Sequence, residues 1–168
     1  MKKIIFVCTG NTCRSPMAMA IFNSFANLEP HEFGYEAASA GLAVTKDAPP
    51  STNAVLAMKD FPGVDITKHR AHILSQTEVE EAFLVLTMTQ SHKNYILSMF
   101  PGSQERVFTL KNYAFGMHEN TDNNRGNRIQ IFSPDIADPY GSSFWSYKLC
   151  AQEIADTVEK LVQKLKKC

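Results

Sequence analysis

The sequence predicts an α/β fold: a single domain built on a Rossmann-like open parallel sheet of about four strands, with helices on both faces. Three observations predict it. Ile4 to Val7 and Phe83 to Leu86 are short runs that are apolar without alternation, the pattern of strands covered on both faces. Helical spacings alternate with these runs along the chain, which favours parallel strands joined by crossover helices. Size and composition agree, since 168 residues, 44% hydrophobic and 20% charged, fit one globular domain over residues 1–168 and lie outside the disordered range.

Ile4 to Val7 forms the first strand, and a loop from Cys8 to Ser15 leaves its carboxyl end. Pro16 is expected at the first position of a helix, where a missing N–H costs no hydrogen bond. Met17, Ile21, Phe25 and Leu28 repeat on one face of that helix, and a second strand completes the first forty residues. Pro49-Pro50-Ser51-Thr52 introduces a short helix through Met58 that stops at Phe61-Pro62-Gly63, and Ser75 with Glu78 has capping-box spacing. After the Phe83 strand, a helix from Thr89 to Met99 ends at Pro101-Gly102, and Arg106 to Thr109 is a last short strand. Residues 116–134 are polar and rich in Asn, so a surface insertion is expected there. From Ser143 to Lys166 the positions Tyr147, Ala151, Ile154, Val158, Leu161 and Leu165 step by four and three, the face of a terminal helix packed on the sheet.

Lys and Arg together number 17, as do Asp and Glu, so the formal net charge is zero. This balance gives no electrostatic basis for a nucleic-acid or membrane-surface partner, and neither is expected. The apolar run behind Met1-Lys2-Lys3 is too short for a signal-peptide core or a membrane span, so a cytoplasmic location is expected. In a reducing compartment the four cysteines, Cys8, Cys13, Cys150 and Cys168, should matter as thiols and not as a disulfide framework.

The segment V-C-T-G-N-T-C-R-S-P, Val7 to Pro16, puts a thiol and a guanidinium six positions apart on one strand-to-helix turn. Curled around a dianion, such a loop would converge the N–H groups of Thr9, Gly10, Asn11, Thr12, Cys13 and Arg14 on its oxygens, with the helix N-terminus behind them. Gly10 is expected to supply a positive φ and close backbone approach. Arg14 offers a planar fork for two oxygens at once, and in that field Cys8 is expected to react as a thiolate, with Ser15 donating to its sulfur. A metal site built on Cys8 and Cys13 fails for want of spaced partners, and no nucleotide-binding glycine motif occurs.

On these residues the chain resembles the low-molecular-weight protein phosphatase family, whose hallmark is this cysteine-to-arginine loop near the N-terminus. Asp138-Pro139-Tyr140-Gly141 resembles the family's Asp-Pro acid step. Similarity extends over nearly the whole chain: Ser39-Ala40-Gly41 after the second strand, Thr67-Lys68-His69-Arg70, and Val107-Phe108-Thr109-Leu110-Lys111. The resemblance implies that Cys8 attacks phosphorus, that Arg14 and the loop amides hold the oxygens, and that Asp138 protonates the leaving atom and then activates water. It implies no metal and no cofactor. Asn11, Ser39 and His69 would join Ser15 in a supporting hydrogen-bond shell, and Cys13 would capture an oxidised Cys8 as a reversible disulfide. Phosphorylated proteins would be the substrates of a monomeric enzyme.

Within that family, tyrosine-directed members usually carry a bulky aliphatic at the position of Thr12, whereas bacterial protein-arginine phosphatases carry threonine in the same string. Thr12, the non-aromatic stretch beginning at Leu42, and Tyr140 as a pocket wall are therefore the expected specificity residues, and they favour phosphoarginine. The insertion at 116–134 is longer than the arginine branch leads one to expect. The nearest alternative is a tyrosine phosphatase. An arsenate reductase on the same fold would need further cysteines between Leu84 and Met99, where there are none, and a catalytically silent phosphoprotein-binding module would not require Cys8, Arg14 and Asp138 together.

Overall fold

The first strand, β1 (Lys2–Cys8), divides its side chains between two cores. Ile4, Phe6 and Cys8 enter one, while Ile5 and Val7 enter the other, as the period-two geometry of a strand requires. The protein was analysed as a computed structural model, which describes residues 1–28, 33–117 and 133–167. Behind β1 come α1 (Arg14–Leu28), β2 (Tyr35–Gly41), α2 (Thr52–Met58), α3 (Gln76–Glu81) and β3 (Leu84–Thr87). Then follow α4 (Gln90–Met99), β4 (Val107–Thr109), α5 (Leu110–Phe115) and α6 (Phe144–Leu165).

The four strands form one parallel sheet in the order β2-β1-β3-β4, with Ile4 paired to Ala37 on one side and to Leu84 on the other. On one face α1, α2, α5 and α6 bring Met17, Phe22, Met58, Leu110, Ile154 and Leu161 against Ile4 and Phe6. On the other, Val79 of α3 and Ile96 of α4 join Ile5, Val7, Val85 and Val107. Full burial of each such side chain contributes about 1.5 to 3 kcal/mol. Because β1 sends the chain to β2 on one side and has β3 on the other, the loop behind it opens at the crevice where strand order reverses. Among the described residues no helix is long and apolar enough to cross a membrane.

Several local expectations shift. α1 begins at Arg14, so Pro16 is its third residue, still within the first turn, where N–H groups have no intrahelical acceptor. Ser39-Ala40-Gly41 is the end of β2 and not the segment after it. Phe83 precedes β3, 39% exposed, with the Lys2 ammonium 4.6 Å from its ring centre, so solvent on one side explains why its apolar character misled the boundary. Thr89 and Ser143 lie just outside α4 and α6 as N-caps, while Ser75 and Glu78 form the predicted capping box. The short α5, capped by Thr109 and ended by Gly116 at φ 66°, was not legible because six residues carry too little periodicity. Of the expected insertion at 116–134, residues 118–132 lie outside the described residues, as does the side chain of Leu28.

Candidate active site

Asn11 organises the loop between β1 and α1. It takes the left-handed conformation at φ 55°, which a short amide side chain tolerates better than most. Its Nδ2 donates to Ser15 Oγ at 2.9 Å and to Ser39 Oγ at 3.0 Å, and its Oδ1 accepts from the His72 N–H at 3.1 Å. Its carbonyl accepts from His69 Nε2 at 2.8 Å, so that nitrogen carries the ring proton. Burial lowers the His69 pKa, with the Asn11 carbonyl opposing, and keeps the ring neutral. Gly10, in contrast, has no positive φ, and a Cβ there would meet only Thr12 Oγ1 at 3.7 Å, an ordinary contact. The positive φ falls to Asn11, and the close backbone approach to Gly41, where a Cβ would lie 2.7 Å from the Thr9 carbonyl oxygen and 2.5 Å from Val44 Cγ2. Close approach is needed there because Leu42 and Ala43 N–H groups bond the Thr9 carbonyl at 2.9 and 3.0 Å.

Cys8 is buried at the end of β1 with its sulfur 3.0 Å from Ser15 Oγ. Since Ser15 Oγ already accepts from Asn11, its own proton is directed to the sulfur or to the Ala40 carbonyl, 3.3 Å away. Arg14 is almost wholly buried, its side chain 4% exposed. One nitrogen, Nη1, donates to the Ile136 carbonyl at 3.0 Å and the other, Nη2, to Asp138 Oδ2 at 2.8 Å. The Asp138 side chain is 48% exposed, and its Oδ1 accepts from the Tyr140 N–H in a tight turn. Residues 124 positions apart thus put guanidinium and carboxyl group side by side in the cleft that Cys8 also lines.

A cleft of about 470 Å³ opens over this loop. Cys8, Thr12, Arg14 and Asp138 line it together with Ala43, Pro49, Ser51 and the largely exposed Tyr140. Leu42 packs instead against the core shared with Ile5 and Val7, so Ala43 and Pro49 stand where the sequence placed it. Cys13 is buried with its sulfur 3.2 Å from Ser51 Oγ and 3.7 Å from the Tyr147 hydroxyl. Cys150 lies under the Asp138 loop; burial pushes its pKa up to about 12, and the neutral thiol donates to the Ala137 carbonyl at 3.7 Å.

Ser51, His72, His92, Asp135, Tyr147 and Cys150 were missed as neighbours of the site. Spacing identifies Ser51 as a cap and Tyr147 as a core position but says nothing of what they face. Thr89 as an N-cap was a usable signal, because the first turn of α4 follows a parallel strand and must lie at the same sheet edge as the loop. Among the described residues no three His, Cys, Asp or Glu side chains gather as a metal-ligand set. Chemically, the site joins a sulfur nucleophile, a loop of N–H donors, a buried bidentate cation and an exposed carboxyl that reaches the same space.

Comparison with known proteins agrees with this chemistry. The chain is 37% identical over 164 residues to a protein-arginine-phosphatase of Bacillus subtilis, covering 98% of this chain and 97% of that protein. It is 34% identical over 159 residues to the low molecular weight protein-tyrosine-phosphatase PtpB of Staphylococcus epidermidis, covering 95% and 96%. A solved YwlE arginine phosphatase, with serine in place of the active-site cysteine and that serine phosphorylated, superposes with a TM-score of 0.82 at 36% identity, covering 98% of this chain and 96% of that one. With the family model for low molecular weight phosphotyrosine protein phosphatase matching residues 3–168 as well, the cysteine-to-arginine loop has its context, and the chain belongs to that family.

Proposed function

We propose that this protein is a protein-arginine phosphatase that works through a phosphocysteine intermediate. The observation that carries the reading is the placement of the Asp138 carboxyl beside Arg14 in a cleft lined also by Cys8 and Thr12. Cys8 Sγ attacks phosphorus in line, forming the S–P bond as the P–N bond to the substrate guanidinium breaks. Arg14 and the loop N–H groups hold the equatorial oxygens, and Asp138 gives its proton to the leaving nitrogen. Asp138, now a carboxylate, takes a proton from water; the water oxygen attacks phosphorus, the S–P bond breaks, and inorganic phosphate and the Cys8 thiolate remain. The phosphorylated serine of the solved relative supports attack by the loop residue.

The arginine reading rests on Thr12 and on the Bacillus subtilis relative. Threonine leaves room and a hydroxyl beside the phosphate for a flat, hydrogen-bonding guanidinium, and Asp138 can bond that group before protonating it. Phosphotyrosine is the second reading, supported by the Staphylococcus epidermidis relative. Cys13, within the same loop, is the thiol that captures an oxidised Cys8, and the unpaired Cys8, Cys13 and Cys150 suit a reducing cytoplasm.

Turnover of matched phosphoarginine and phosphotyrosine peptides in chelator-treated buffer tests this function. The wild type is expected to prefer phosphoarginine, and Thr12→Ile to lower that kcat/KM by roughly ten- to two-hundred-fold while sparing phosphotyrosine. Cys8→Ser is expected to abolish both. A wild-type preference for phosphotyrosine, or equal loss of both activities in Thr12→Ile, returns the protein to the tyrosine-directed reading.

A further inference from the structure

The Thr9 side chain, one residue behind the nucleophile, reaches across the crevice to the first turn of α4, where His92 Nε2 lies 2.9 Å from its hydroxyl. From the other side its carbonyl is held by the Leu42 and Ala43 N–H groups at the end of β2. Thr9 is therefore pinned from both flanks of β1. We infer that His92 is a positioning residue: it holds the Thr9 hydroxyl and thereby orients the first peptide units of the phosphate loop. This rests on the phosphatase reading above and adds to it a residue that touches neither substrate nor Cys8.

Three observations carry the inference. A loop that binds phosphate through N–H groups works only if its peptide planes are fixed beforehand, and Thr9 lies between the nucleophile and the rest of those planes. The same helical turn holds the Asp138 segment, since the Gln90 N–H donates to Asp135 Oδ1 at 2.7 Å, so α4 registers both sides of the reaction against one another. Finally, His92 Nδ1 is buried with no hydrogen-bond partner among the described residues. An orphaned ring nitrogen is unfavourable for folding, so an apolar ring of similar size would serve stability at least as well. What the apolar ring cannot do is hold Thr9. Burial first, and then Arg14, lower the His92 pKa to about 4 against the opposing Asp138 and Asp135, so the ring is neutral and its contact with the hydroxyl persists at neutral pH.

The test compares wild type, His92→Phe, His92→Gln, Thr9→Val and the His92→Phe/Thr9→Val double variant. For each, kcat and KM on p-nitrophenyl phosphate, the inhibition constant of inorganic phosphate and the Tm are measured. The inference expects KM and the phosphate inhibition constant to rise about tenfold in His92→Phe and in Thr9→Val, with kcat falling less. The double variant should be no worse than either single one, since both remove one bond. His92→Gln should recover most of the loss, and the Tm of His92→Phe should stay within about 3 °C of wild type or exceed it. Additive losses in the double variant, or unchanged KM and phosphate inhibition in His92→Phe, overturn the inference. Should wild type hydrolyse no phosphorylated substrate, the functional reading falls; phosphate affinity by calorimetry on the same proteins then decides the His92 question alone.

Discussion

Both histidines nearest the loop do their work uncharged, and that makes the fold sensitive to acid. Burial lowers the pKa of His69 and of His92, the latter to about 4, below the ordinary unfolded value near 6.5. Between those values the unfolded chain binds more protons than the folded one, so stability rises with pH across the window and is lost as pH falls through it. His92→Gln removes one titrating ring, and thermal melts from pH 7 to pH 4 should show the variant losing less stability than wild type, by on the order of 1 kcal/mol after allowance for solvent screening. Parallel pH curves for the two proteins would show that His92 titrates alike folded and unfolded. Arg14 shows the opposite use of burial: a permanently charged group is held inside because the Ile136 carbonyl and the Asp138 carboxyl group engage both of its terminal nitrogens.

Where β2 meets the loop between β1 and α1, Gly41 has the least room of the described glycines. A methyl group on Gly41 would meet the backbone oxygen of Thr9 as well as Val44, and backbone cannot swing aside as a side-chain tip can. Gly41→Ala should therefore destabilise the protein by about 1 to 3 kcal/mol and, on the proposed function, reduce kcat/KM further than the lost stability explains, because the displaced atom belongs to the loop proposed to hold phosphate. Gly10→Ala, where the nearest atom is 3.7 Å away, should leave the Tm nearly unchanged. Equal Tm losses in the two variants, read by calorimetry, would contradict this. α2 is bound to the loop as well, since the Ser51 N–H donates to the Thr12 carbonyl while the Ser51 hydroxyl caps α2 and meets Cys13.

At the scale of the whole molecule, the site joins parts that pack on opposite faces of the sheet. Cys8 and Cys13 belong to the core with α1 and α6, whereas His92 comes from α4 on the other face. An anion bound in the loop should thus stabilise the whole fold and not one face. Inorganic phosphate at one hundred times its dissociation constant should add about 2.7 kcal/mol and raise the Tm by about 5 to 10 °C. Arg14→Ala should abolish the shift. A shift retained in that variant, measured by scanning calorimetry at constant ionic strength, would place phosphate elsewhere.

The local features of this protein were legible in its sequence because they depend on spacing. Continuous apolar runs marked β1 and β3, a capping box marked α3, the Pro101-Gly102 stop and the four-and-three spacing marked α4 and α6, and the interval from Cys8 to Arg14 marked the loop. Periodicity, however, reports only inside or outside, and not which distant residue stands opposite. That Asn11 and not Gly10 takes the left-handed turn goes with its bonds to Ser39, His69 and His72, and that Ala43 and Pro49 and not Leu42 face the cleft is set in the turn after β2, which bonds Thr9. The bond from Thr9 to His92, 83 positions away, arises only when parallel pairing in the order β2-β1-β3-β4 brings the loops behind β1 and β3 to one edge, and that from Arg14 to Asp138, 124 away, when the segment before α6 is tied to the same edge through Met88 and Gln90. Sequence by itself determined which groups are candidates for the chemistry, because the Cys8-to-Arg14 spacing is local; tertiary structure alone decided what holds them in place, because strand order sets which loops meet.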